Sequence, residues 1–129
     1  MKRHTVLVAD DDPDIVKLFS RALSLEGYRV MEARDAFDAL HLVMSRPPTV
    51  VVCDAHLPGA EGAWLPAMIR CKCPGTAVVL LTHDPRSCPT AELCDGVVER
   101  LLKPVQRERL LKVVRIAVRW TSERAGAPH

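Results

Sequence analysis

A doubly wound α/β fold, with five parallel strands in the order 2-1-3-4-5 and five helices, is expected from three features of the chain. Short apolar runs rich in β-branched residues recur along it, as strands buried on both faces require. Segments with apolar residues at helical spacing separate those runs, and parallel strands need such crossovers. Several runs also end on aspartate, threonine or lysine, at the sheet edge where folds of this class bind ligands.

The first strand is Thr5-Val-Leu-Val-Ala9, and it stops at Asp10-Asp11-Asp12. Asp12 before Pro13 makes a good N-cap with proline at the first helical position. The helix that follows sets Ile15, Leu18, Phe19, Ala22 and Leu23 on one face and meets a stop at Gly27. Arg29 to Ala33 is a second, short strand, and Asp35 caps a helix with Ala36, Ala39, Leu40 and Val43 inward, broken by Pro47-Pro48. Thr49 to Cys53 is the third strand, closed by Asp54. A loop with Pro58, Gly59 and Gly62 leads to a helix around Ala63 to Arg70. Thr76 to Leu81 is the fourth strand, ending at Thr82.

Beyond His83 the pattern weakens, since Pro85 and Pro89 leave room only for a short helix from Thr90 to Cys94. Val97 to Leu102 is the fifth strand. After Lys103-Pro104 a long helix carries Leu110, Val113 or Val114, Ala117 and Val118 inward, with fraying expected from Arg124 to His129. Residues 1–122 are therefore read as one domain and 123–129 as a tail.

Composition supports a single core: 129 residues, 48% of them hydrophobic, suffice for one domain and leave no room for a second. A formal charge of +2, with both signs mixed along the chain, points to neither nucleic acid nor membrane. The five cysteines, Cys53, Cys71, Cys73, Cys88 and Cys94, are odd in number and lack C-x-x-C spacing, and the chain begins without an apolar secretory segment. A reducing, cytoplasmic setting is expected. Cys71 and Cys73 lack a second ligand pair at metal-binding spacing, so they read as small hydrophobes. The longest apolar stretch falls well short of a membrane span.

In the strand order 2-1-3-4-5 the ligand crevice lies between strands 1 and 3. Asp10 and Asp11 close strand 1, Asp54 closes strand 3, Thr82 strand 4 and Lys103 strand 5, so all five converge there. Three carboxylates in one place repel unless a cation intervenes, and hard oxygen donors suit Mg²⁺. A carboxylate can attack phosphorus to form an acyl phosphate, with a metal and the Lys103 ammonium neutralising the charge that develops. Thr82 offers a hydroxyl to a phosphoryl oxygen, a bond that exists only after phosphorylation.

The segments VLVADDDPDI, VVVCDAHLPGAEG, VVLLTH and ERLLKPV, in this order and spacing over about residues 4–120, resemble the four signature segments of response-regulator receiver domains. The resemblance implies the flavodoxin-like arrangement of the fold. By it, Asp10 and Asp11 match the acidic pair that holds Mg²⁺, with Asp11 the direct ligand, and Asp54 matches the phosphoacceptor and a further ligand. His56 matches the position whose backbone carbonyl ligates the metal. Thr82 matches the switch hydroxyl, and Lys103 the lysine on the phosphoryl group. The Lys103-Pro104 bond is often cis in proteins of this kind.

Implied partners are a sensor histidine kinase or phosphotransfer protein as donor and a downstream effector as reader. The domain is expected to catalyse only its own aspartyl phosphorylation and dephosphorylation, not the turnover of a separate substrate. Roughly two added charges at Asp54 would bias a two-state surface by about 3 to 5 kcal/mol, within reach of two or three charged hydrogen bonds.

Arg100, the histidines His56 and His83 and the short segment after Thr82 with Pro85 and Pro89 depart from the family pattern, and a basic stripe on the last helix stands apart from it. Arg100 stands where an aromatic ring usually swings inward, and an arginine does not bury in such a pocket at low cost. His56 and His83 flank the pocket, where they either tune the lifetime of the acyl phosphate or stand as exposed loop residues. Lys112, Arg115 and Arg119 make a basic stripe near Trp120, read as a solvated face or as a docking surface for a second copy, giving a homodimer, or for an acidic partner. Two rival functions remain open at this level. One is a pseudo-receiver that only docks partners. The other is an aspartyl-phosphate phosphatase, which would want a second carboxylate two residues after the nucleophile, where this chain has His56.

Overall fold

In the computed structural model, the residues described are 3–59, 64–83 and 97–126, with side chains described through 123. The order is β1 (Thr5–Ala9), α1 (Pro13–Leu25), β2 (Arg29–Ala33), α2 (Ala36–Ser45), β3 (Val50–Asp54), α3 (Trp64–Lys72), β4 (Ala77–Thr82), β5 (Val97–Leu102) and α4 (Arg107–Gly126). All strand pairs are parallel, and the sheet runs β2-β1-β3-β4-β5, as expected. The short helix expected from Thr90 to Cys94 lies outside the described residues, so four of the five expected helices are described. The last of these continues to Gly126, past Arg124 where the sequence suggests fraying.

Strand parity builds two cores. Val6, Val8, Val50, Val52, Val79 and Leu81 pack with α1 and α4 on one face of the sheet. Their neighbours Leu7, Ala9, Val51, Cys53, Val78 and Leu80 pack with α2 and α3 on the other. β3 and β4 are buried at every residue, which explains why their sequences run apolar instead of alternating. Each fully buried valine or leucine there contributes about 1.5 to 3 kcal/mol relative to exposure.

The helices start where their caps predict. The Asp12 carboxylate accepts the Asp14 N–H at 2.9 Å ahead of Pro13, and the Asp35 carboxylate accepts the Asp38 N–H at 2.8 Å. Gly27 has φ +94° just past α1, a left-handed conformation that glycine adopts without a side-chain penalty. One expected core residue of α1 is misplaced: Leu18 is 56% exposed, whereas Val16, not expected inward, is buried. The buried stripe of α1 is Val16, Phe19, Ala22 and Leu23, and Leu18 lies one step of the helix away from Phe19, outside it. Leu40 and Val118 are only partly buried at the margins of the two cores.

The β4–β5 ladder contains an irregularity. Val78 pairs with Val97, but Val79 pairs with Glu99, so Val98 has no partner in the register. Pairing then continues regularly to Thr82 opposite Leu102. Lys103 N–H donates to the Thr82 carbonyl at 2.7 Å, one residue beyond the end of the strand, and the Lys103-Pro104 peptide is cis.

Cys53 is buried in the α2/α3 core, Cys71 is exposed and Cys73 is half-buried, with its thiol against the Val43 carbonyl at 3.6 Å. Burial pushes the Cys73 thiol pKa up. Iodoacetamide at pH 8 is therefore expected to modify Cys71 well ahead of Cys73, as read by peptide mapping over time. Equal rates would contradict the burial of Cys73. Cys88 and Cys94 lie outside the described residues.

Candidate active site at the carboxyl edge of the sheet

The strand ends bring together the residues expected there. Asp10 follows β1 and is fully buried, Asp54 ends β3 and is 5% exposed, and Thr82 ends β4 and is 1% exposed. Asp11 stands exposed beside them. One carboxylate oxygen from each of Asp10, Asp11 and Asp54 lies within 4.8 Å of the others. Among the described residues this is the group arranged to share a metal ion, and no cysteine or histidine belongs to it.

Each carboxylate is oriented by local backbone. Asp10 Oδ1 accepts the Asp12 N–H at 3.0 Å, and Asp54 Oδ1 accepts the His56 N–H at 3.0 Å. These bonds leave the second oxygen of each acid for Lys103. Its Nζ lies 2.8 Å from Asp10 Oδ2 and 3.2 Å from Asp54 Oδ2, with the lysine side chain only 9% exposed. Burial alone lowers the Lys103 pKa, but the Asp10 hydrogen bond, the charges of Asp54 and Asp10 and the Asp54 hydrogen bond outweigh it, so the net shift is upward. The ammonium stays charged at neutral pH.

One ammonium among three carboxylates leaves two negative charges uncompensated, and the donors are all hard oxygens. A small divalent cation such as Mg²⁺ fits that balance and chemistry. The His56 peptide sits at the same edge through its N–H to Asp54, whereas its side chain is exposed. His83 is exposed as well.

Features outside the cluster took different places. Arg100 is exposed and, with Leu102, Pro104, Val105, Gln106 and Arg109, lines a cleft of about 490 Å³ that contains none of the carboxylates. The stripe of Lys112, Arg115 and Arg119 is exposed throughout. Trp120 is half-buried and packs against the α1/α4 core, so its ring is a packing element before it is a docking anchor.

Two arrangements were not foreseen from sequence. Lys103 bridges Asp10 as well as Asp54, a pairing across 93 residues that only the sheet order reveals. The indole of Trp64 donates to the Gly59 carbonyl at 2.6 Å, and its ring lies 5.8 Å from that of Phe37. The one sequence signal for this pair is an aromatic, Phe37, at a position of helix 2 that faces water.

Comparison with known proteins follows the same lines. The family profile described as Response regulator receiver domain matches residues 6–115. Response regulator MprA of Mycobacterium sp. (strain KMS) is 34% identical over 122 residues, covering 94% of this chain and 53% of that protein. The probable transcriptional regulatory protein TcrX of Mycobacterium tuberculosis is 34% identical over 118 residues, covering 91% and 50%. The chain thus spans about half the length of these curated relatives. Among solved structures, the signal receiver domain of an HD domain-containing protein from Pseudomonas fluorescens Pf-5 superposes with a TM-score of 0.87 at 32% identity, over 95% of this chain and 99% of that one.

Proposed function

The chain belongs to the response regulator receiver domain family of two-component systems, and from that premise we propose that it is a phosphorylation switch whose Asp54 accepts a phosphoryl group from a phosphohistidine donor. The observation that carries this reading is the placement of Lys103 between Asp10 and Asp54 inside a cluster of three carboxylates. Such a cluster is costly as pure structure, because buried like charges repel and each must be desolvated.

The transfer needs an Asp54 oxygen to attack phosphorus in line with the leaving nitrogen of the donor imidazole. A new O–P bond forms as the N–P bond breaks, and the leaving imidazole keeps the electron pair and takes a proton from solvent. Asp54 Oδ1 is held by the His56 N–H, which fixes the direction of the carboxylate. Lys103 already lies at the other oxygen and would follow the charge onto the phosphoryl group. Mg²⁺ held by Asp10, Asp11, Asp54 and the His56 carbonyl would supply charge neutralisation for the phosphoryl oxygens. Thr82, at the neighbouring strand end, would donate its hydroxyl to a phosphoryl oxygen once loading has occurred.

The donor would be a sensor histidine kinase or phosphotransfer protein, and the reader a separate effector or a further part of a longer chain. The domain would catalyse only its own loading and hydrolysis, and would work in the cytoplasm. Among the described residues no helix is long and apolar enough to cross a membrane. The reading as a module that docks partners without loading draws on Arg100, yet Arg100 belongs to a cleft that none of the carboxylates lines.

The test is intact-protein mass after incubation with acetyl phosphate, with Mg²⁺ and with chelator. A magnesium-dependent gain of one phosphoryl group is expected. No gain under any condition would overturn the proposal and favour the docking module.

A further inference from the structure

The loop that follows Asp54 is fastened at both ends. At its start, the Asp54 carboxylate takes the His56 N–H at 3.0 Å, the Asp54 carbonyl takes the Leu57 N–H at 3.2 Å, and the Leu57 side chain is buried in the α2/α3 core. At its far end, the Pro58 carbonyl accepts the N–H of Ala36, the first residue of α2, at 2.9 Å. The Gly59 carbonyl accepts the Trp64 indole N–H at 2.6 Å. Gly59 has φ +85°, and Phe37 lies so close that a Cβ there would meet its Cε2 at 2.9 Å. The Phe37 and Trp64 rings meet at 43° with centroids 5.8 Å apart.

Phe37 is 70% exposed, so hydrophobic burial explains little of why an aromatic stands at this point of α2. Among the described residues its ring lies against Trp64 and beside Gly59. From this arrangement we infer that Phe37 and Trp64 are positioning residues: together they clamp Gly59 and thereby hold the His56 peptide, three residues earlier, in place to present its carbonyl to a divalent cation. The inference rests on the proposed reading of the carboxylate cluster as a Mg²⁺ site. Between its two anchors the His56 peptide has little freedom left, so cation binding need not order the loop, and the entropy of ordering is not subtracted from affinity.

The test is calorimetric titration of Mg²⁺ into the unphosphorylated chain, comparing wild type with Phe37→Ala and Trp64→Phe. The second variant keeps an aromatic ring, though a smaller one, and removes the N–H donor. Each is expected to bind Mg²⁺ about tenfold more weakly, the lower end for partners that orient a metal ligand, with thermal stability nearly unchanged. Acetyl phosphate labelling should need correspondingly more Mg²⁺ for half-saturation and reach the wild-type plateau at excess Mg²⁺. Unchanged Mg²⁺ affinity in the folded variants, beside a wild type that binds, overturns this inference and leaves the proposed function standing. A wild type that binds no Mg²⁺ overturns both. Should Trp64→Phe fail to fold, Phe37→Ala, a truncation on an exposed helix face, decides the question alone.

Discussion

Asp54→Asn is expected to abolish the magnesium-dependent gain of a phosphoryl group while leaving the chain folded. The amide has no anionic oxygen with which to attack phosphorus, so the loss should be complete and not graded. The fold should tolerate the change for reasons visible at the site. Asparagine keeps the shape of the side chain and an oxygen to accept the His56 N–H. Lys103 keeps its shorter bond, the one to Asp10 at 2.8 Å. One charge also leaves a crowded acidic cluster, which favours the variant in the absence of a cation. Intact mass and a thermal melt check both halves. A labelled Asp54→Asn protein would move the nucleophile elsewhere, and an unfolded one would make its silence uninformative about chemistry.

Lys103→Met should have the opposite profile, with a large loss of stability as well as of labelling. Methionine fills much of the same volume but leaves the fully buried Asp10 carboxylate and the nearly buried Asp54 carboxylate without their cation. Removing one partner of a buried ion pair costs about 3 to 5 kcal/mol, because a desolvated charge is left uncompensated. For a chain of this size that corresponds to roughly 10 to 20 °C in melting temperature. Added Mg²⁺ should recover part of the loss, since a cation bound only by the folded state stabilises it by mass action. A melting temperature within a few degrees of wild type in chelator would show that Lys103 does not hold these acids together.

Much of this site was legible in the sequence because of where its residues fall. Asp10, Asp54, Thr82 and Lys103 each sit at or just past the end of an apolar run, and a parallel sheet gathers those ends at one edge. The sequence locates the strands to within a residue, since runs such as Val50-Val51-Val52-Cys53 have no helical period to compete with. Asp12 and Asp35 marked two helix starts for the same local reason, a carboxylate poised to accept an early N–H.

What escaped the sequence depends on relations between elements. The exposure of Leu18 follows from which face of α1 meets the sheet, the stripe of Val16, Phe19, Ala22 and Leu23, whereas apolar spacing alone assigns Leu18 to the core. The reach of Lys103 to Asp10 and the seat of Trp64 on Gly59 require tertiary placement that no local pattern encodes. Arg100 is the converse case. The expectation that it would not enter a buried pocket came from the energetics of its guanidinium, and it is exposed.

The unpartnered Val98 acts on the phase of the last strand. Val97 faces the core under α2 and α3, yet Leu101, an even number of residues later, faces the core under α1 and α4. In an uninterrupted strand those two side chains would share a face. The extra residue inverts the in-and-out reading of everything after it, and the residue at the end of that inverted count is Lys103. A deletion of one residue near Val98 would therefore be a frame error written in side chains: the ladder would still close, but the hydrophobic and charged positions downstream would exchange sides, and the ammonium would miss both carboxylates.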